Sequence, residues 1–142
     1  MSGFDESLAR IRGQARIGYQ GQEPKPISET RLVSGTTLCQ QSPLLLCRRD
    51  DAGYVQVRQL FHGERGAIAL GATCFVPRKG DRAGDSGVII NGKRHFVVAD
   101  TVLVDGVIFH LGVLESGSFH VDKAGVLDLR TGVSGPTTGG TA

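Results

Sequence analysis

Val88-Ile89-Ile90-Asn91-Gly92-Lys93-Arg94-His95-Phe96-Val97-Val98-Ala99-Asp100-Thr101-Val102-Leu103-Val104-Asp105-Gly106-Val107-Ile108-Phe109-His110-Leu111 is the stretch whose reading decides the fold. Apolar and β-branched runs are separated by Asn-Gly and Asp-Gly. These dipeptides tolerate positive φ at both central positions of a type I′ turn, whose twist matches that of antiparallel strands. Around Asp105-Gly106 a two-residue loop pairs Val104 with Val107, Leu103 with Ile108, Val102 with Phe109 and Thr101 with His110. Three of these cross-strand pairs are apolar on both sides, and such pairs are the unit of sheet stability. Around Asn91-Gly92 the same rule sets Ile89 opposite Arg94 and Val88 opposite His95. This half-polar ribbon is expected to project toward a neighbouring subunit, with Lys93 and Arg94 as oligomer or partner contacts.

Working outward, Pro43 to Cys47 is an apolar run of buried-strand length, and Tyr54 to Arg58 alternates. With the charged turn between them they form a further hairpin. Ile68, Leu70, Ala72, Cys74 and Val76 share one strand face, and Gly112 interrupts its run as a β-bulge would. Thr30 to Val33, Ser118 to Val121 and Val126 to Leu129 complete about nine short strands with almost no helical period. The expected class is all-β, an antiparallel sandwich or barrel of jelly-roll type. Residues 30–130 form the β-domain, between an N-terminal arm (1–29) and a flexible C-terminal tail (131–142). In the arm, Phe4 to Arg12 predicts a short helix capped by Asp5 or Ser7 and stopped near Gly13. Phe4, Leu8, Ile11 and Tyr19 are its apolar anchors, and Arg10, Arg12 and Arg16 its polar contacts.

The chain has 142 residues and a net charge of +2, with no Trp and two Tyr. That balance disfavours nucleic acid as the main partner. No apolar run reaches the roughly 18 residues of a membrane span, and no signal peptide opens the sequence, which points to a cytoplasmic start at Met1 or Ser2. Cys39, Cys47 and Cys74 lack metal or disulfide spacing and are expected to be core thiols. The four histidines form no metal pattern, and no phosphate-binding glycine loop is present, so no cofactor is expected. Gly84-Asp85-Ser86-Gly87 resembles the nucleophile segment of chymotrypsin-like serine hydrolases, with Ser86 as nucleophile. Its upstream histidine, His62, lies too close in sequence for that architecture. The alternative is a polar turn leading into the strand at Val88.

Three segments taken in order, Pro43-Leu44-Leu45-Leu46, Gly53-Tyr54-Val55-Gln56-Val57 and Gly66-Ala67-Ile68-Ala69-Leu70-Gly71-Ala72, together with the closing Ser116-Gly117-Ser118-Phe119, resemble the head decoration proteins of tailed bacteriophages, the lambda type included. The resemblance covers about half the chain. It implies a non-enzymatic virion protein that cements the outer surface of an icosahedral capsid as a homodimer or homotrimer. The major capsid protein would be its partner, the capsid surface its location after assembly in the host cytoplasm, and Phe4, Leu8, Arg10, Arg12, Arg16 and Tyr19 its capsid-binding arm. A carbohydrate- or receptor-binding tail domain is a further alternative, disfavoured by the shortage of aromatics.

Overall fold

A computed structural model of the chain describes residues 3–14, 16–17, 25–26, 29–33, 38–41, 43–51, 53–121 and 127–132. Helix α1 (Gly3–Gln14) is followed by strands β1 (Arg16–Ile17), β2 (Lys25–Pro26), β3 (Arg31–Leu32), β4 (Leu38–Gln41), β5 (Pro43–Asp50), β6 (Gly53–Val57) and β7 (Gln59–Leu60). Then come β8 (Arg65–Leu70), β9 (Ala72–Thr73), β10 (Gly87–Asn91), β11 (Arg94–Val104), β12 (Val107–Ser116), β13 (Phe119–His120) and β14 (Leu127–Thr131).

The antiparallel all-β architecture expected from the sequence is present. Eight strands hydrogen-bond side by side in one sheet, in the order β4-β14-β10-β11-β12-β8-β5-β6. Tight hairpins keep β10, β11 and β12 adjacent, and among the described residues β4 and β6 end the sheet without pairing to each other, so no barrel closes there. Leu129 of β14 and Leu46 of β5 belong to one core cluster with Ile89, Phe96, Phe75 and Phe119, so the sheet curves around that cluster. The opposite face presents Leu45, Cys47, Ala67, Ala69, Val102, Val107 and Phe109 to a second cluster, which Leu8 and Ile11 of α1 complete.

The hairpin at Asp105-Gly106 has the register read from its turn: Val104↔Val107, Leu103↔Ile108, Val102↔Phe109 and Thr101↔His110. Asp105 (φ 48°) and Gly106 (φ 82°) are both left-handed, as a type I′ turn requires. The first hairpin differs. Asn91 pairs with Arg94, which makes Gly92-Lys93 the loop and sets Ile89 opposite Phe96 and Val88 opposite Val97. Gly92 has φ 60° and Lys93 is not left-handed, the type II′ pattern of Gly followed by any residue. The one-residue change in the loop turns a half-polar ribbon into an apolar one, with Ile89 and Phe96 fully buried. Flanked by β14 and β12, this hairpin is central and does not project. Lys93 and Arg94 are exposed at its tip, where the Ser116 hydroxyl donates to the Lys93 carbonyl (2.7 Å).

The expected irregularity at Gly112 is also present. The ladder passes from Val98↔Gly112 to Asp100↔Leu111, leaving Ala99 as the extra residue of a bulge in β11. A second shift between His95↔Ser116 and Phe96↔Leu114 leaves Glu115 as the extra residue in β12.

Within the segment read as an arm, α1 is part of the body. Its i, i+3 pair Leu8 and Ile11 faces the sheet, at 0% and 7% exposure, as an amphipathic helix places its apolar stripe. Arg12 in the last turn donates its Nε–H to the Asp105 carbonyl (3.0 Å), and the Ser7 hydroxyl accepts the backbone N–H of Tyr54 (2.7 Å). Leu8 is therefore a core residue and does not offer an outward anchor, whereas Arg10 is exposed. The side chains of Phe4 and Arg16, Tyr19 as a whole and residues 133–142 lie outside the described residues.

Candidate functional site

The Gly84-Asp85-Ser86-Gly87 segment is braced at almost every backbone group. The Asp85 carboxylate accepts the Val76 N–H (2.9 Å), and the Asp85 N–H donates to the Val76 carbonyl (2.9 Å). The Asp85 carbonyl accepts the Thr101 hydroxyl (2.8 Å), and the Ser86 carbonyl accepts the Gly132 N–H (2.8 Å). Ser86 is exposed, and no histidine among the described residues hydrogen-bonds its hydroxyl, the contact a triad needs. The segment is the turn that feeds β10.

His110 is fully buried on the face lined by Phe75, with the two rings edge-on at 5.1 Å. Its Nδ1 faces the Ile68 carbonyl at 2.8 Å, which can only accept, so Nδ1 carries the proton. Nε2 then accepts from the Thr73 hydroxyl at 2.7 Å, and that oxygen takes the Phe75 N–H at 3.1 Å. Burial lowers the imidazole pKa to about 4, against a smaller opposing effect of the bond to Ile68. Both nitrogens are engaged in tying β8, β9 and β12 together, so this histidine is a structural strut. Cys47 and Cys74 are buried and outside any disulfide among the described residues, as core thiols should be, and burial pushes the Cys47 thiol up to about 12. The side chain of Cys39 lies outside the described residues. Among the described residues no group of three or more His, Cys, Asp or Glu side chains could hold a metal ion.

The open chemistry lies on the sheet face that α1 covers only in part. The ladders place Tyr54 opposite Arg49, Arg65 opposite Val113 and Val113 opposite Val97. The β5–β8 ladder ends at Arg48↔Gly66, one step short of bringing Arg49 beside Arg65. A single row thus crosses five strands, and residues at i and i+2 share its face. On this face lies a cavity of about 420 Å³ lined by Arg49, Tyr54, Arg65, Val97, Ala99, Asp100, Leu111, Gly112 and Val113. Both arginines are exposed. Asp100, at the other end, is held by Arg78 (3.5 Å) and by the N–H groups of Gly84 and Thr101 (2.9 Å each).

Sequence reasoning missed this site. Arg48-Arg49 reads as a charged turn and Arg65 as part of a glycine turn, and only the register brings Arg49 and Arg65 together. Lys93 and Arg94, singled out from the sequence, lie at the tip of the β10–β11 hairpin and are not among the residues that line the cavity.

No protein-family model matches the sequence. The relatives found are tRNA ligases. They are alanine–tRNA ligases: that of Bordetella petrii is 34% identical over 126 residues, that of Halorhodospira halophila 32% over 123 and that of Leptospira borgpetersenii 42% over 124. Each alignment covers 84–85% of this chain and 13–14% of the relative, so the chain spans about one seventh of the length of the proteins it matches.

These similarities overturn the resemblance to phage decoration proteins. That likeness rested on short apolar strand patterns across half the chain, and such patterns recur wherever a strand is half-buried. With it fall the capsid-cement function, the major capsid protein as partner, the virion location and the non-enzymatic assignment. The serine-hydrolase and carbohydrate-binding alternatives find no counterpart among the relatives either. The exclusion of nucleic acid is likewise at odds with relatives named for a tRNA. It was inferred from a net charge of +2, which averages over the surface and hides a local pair such as Arg49 and Arg65.

Proposed function

We propose that this chain serves the alanine–tRNA ligase reaction as a β-domain that binds the tRNA. The observation that carries the proposal is the similarity to alanine–tRNA ligases over 84–85% of the chain. The composition of the α1-side face supports it, since arginines beside apolar side chains suit a polyanion whose bases and riboses also offer flat apolar surface. The role is binding and positioning, the share of a ligation that falls to a domain holding one substrate in place.

The test is a titration of the chain with a tRNA-Ala transcript, followed by filter binding or fluorescence anisotropy at several salt concentrations. Saturable binding that weakens linearly in log–log form as salt rises is expected, because each phosphate neutralised by Lys or Arg releases counterions. An absence of binding at low salt would count against the proposal.

A further inference from the structure

We infer that the turn at residues 61–64 is a stacking platform for an unpaired base of an RNA strand, with the Phe61 ring against the base and the Arg65 guanidinium on a phosphate beside it. The inference rests on the tRNA-binding reading above and deepens it by naming a place on the fold and the part of the nucleic acid that it takes.

The first observation is where the ring stands. Phe75, Phe96, Phe109 and Phe119 are fully buried, whereas Phe61 is 56% exposed. Leu60, the last residue of β7, is seated in the core, and alternation along the chain turns its neighbour outward. His62, the next residue, is exposed as well, and both ring types are surfaces on which unpaired bases stack.

The second is rigidity. The Glu64 N–H donates to the Phe61 carbonyl (3.0 Å), and Gly63 has φ 88°, the pattern of a type II turn with glycine at its third position. The Phe61 N–H donates to Glu64 Oε1 (2.7 Å). The Gly63 N–H donates to the Leu114 carbonyl (2.7 Å), and the Leu114 N–H to the Glu64 carbonyl (3.0 Å). Leu114 is fully buried on β12, so the turn is fastened to a core strand. A platform held in this way has little freedom to lose on binding, and more of the stacking energy appears as affinity.

The third is charge. Arg65 follows the turn as the first residue of β8. It is exposed, and its side chain has no ion-pair or hydrogen-bond partner among the described residues, so its planar fork of donors is open to phosphate oxygens. The acidic group of the turn, Glu64, has Oε1 engaged by the Phe61 N–H. A cation for the backbone beside an open ring for the base is how proteins hold single-stranded nucleic acid. In a duplex the base faces cover one another, so such a platform selects a loop or an unpaired end.

The sequence has no Trp, so Phe61→Trp places a single fluorophore on the platform. Wild type, Phe61→Ala, Phe61→Trp and Arg65→Gln are titrated with the tRNA-Ala transcript, a short single-stranded RNA and a blunt RNA duplex. Leu103→Ala, which trims another exposed apolar side chain, is the control, and circular dichroism and melting establish that the variants fold. Phe61→Ala is expected to weaken binding of the tRNA and of the single strand by roughly 10-fold, the scale of one base–aromatic stack, with an unchanged salt slope. Arg65→Gln is expected to lower that slope by about one, and Leu103→Ala to match wild type. Phe61→Trp is expected to bind as wild type does, its emission quenched by the single strand and little altered by the duplex. If wild type binds tRNA and Phe61→Ala binds it equally, the platform is overturned while the tRNA-binding proposal stands. If no RNA binds and the Trp emission does not change, both are overturned. If Phe61→Ala leaves RNA affinity intact and instead weakens self-association in sedimentation velocity, the turn is a contact between copies of this chain and the inference is overturned.

Discussion

Gly112→Ala is expected to lower the melting temperature by roughly 10 °C. A Cβ at this position would lie 1.9 Å from the Val97 carbonyl oxygen and 2.8 Å from its carbon. These are backbone atoms of the neighbouring strand, so no rotamer change relieves the overlap. Either β11 and β12 separate at the bulge or the ladder slips. Overpacking of this kind costs about 3 kcal/mol at the upper end of its usual range, and a domain of this size loses a few degrees for each kcal/mol. Gly13→Ala is the matched control. Nothing lies within 4 Å of its added methyl, and alanine is the better helix former, so its melting temperature should hold or rise. Equal melting of Gly112→Ala and wild type by calorimetry would show that the bulge adapts.

The second large effect is one of pH. His110 takes up a proton near 6.5 when the chain is unfolded and only near 4 when it is folded. Between those values the unfolded state binds the proton that the folded state refuses, so stability falls as pH drops from about 6.5 to about 4 and changes no further on this account below that. The total is on the order of 3 kcal/mol. Urea denaturation across this window should show the decline in wild type. In His110→Gln, which can still hydrogen-bond Thr73 but does not titrate, the decline should be much smaller. The same slope in both proteins would assign the pH dependence to other groups.

The sequence and the fold agree where local chemistry has one solution. A loop of Asp105-Gly106 satisfies both positive-φ positions of a type I′ turn, and nothing nearby competes, so the four β11–β12 pairs next to the turn followed, from Val104↔Val107 to Thr101↔His110. At Asn91-Gly92-Lys93 two loops of equal length were available, Asn-Gly and Gly-Lys. The choice between them was made by partners distant in sequence: Ile89 needed Phe96 on one side and Leu129 of β14 on the other. The helix was legible from its spacing, but its docking was not, because the sheet face that Leu8 and Ile11 cover is assembled from β5, β8, β11 and β12. The same reason hid the candidate site. Arg49, Arg65, Val97 and Val113 belong to four strands, and no local pattern relates them. The mistaken family resemblance has a related origin, since apolar alternation reports burial on a sheet and carries little about which sheet.

One contact of α1 reaches beyond packing. β6 is the last strand of the large sheet, and the outward backbone N–H of Tyr54 is taken by the Ser7 hydroxyl. The helix, which packs on one face of the sheet, therefore stoppers one backbone donor of this margin. Unprotected margins of this kind recruit strands from other molecules, so a chain starting after Gln14 should self-associate margin to margin as its concentration rises. Sedimentation velocity on that shortened chain, against the full one, would register the difference as a concentration-dependent oligomer. In a polypeptide several times longer, where neighbouring segments are held close by covalent linkage, the same stopper would keep this domain's hydrogen bonding to itself.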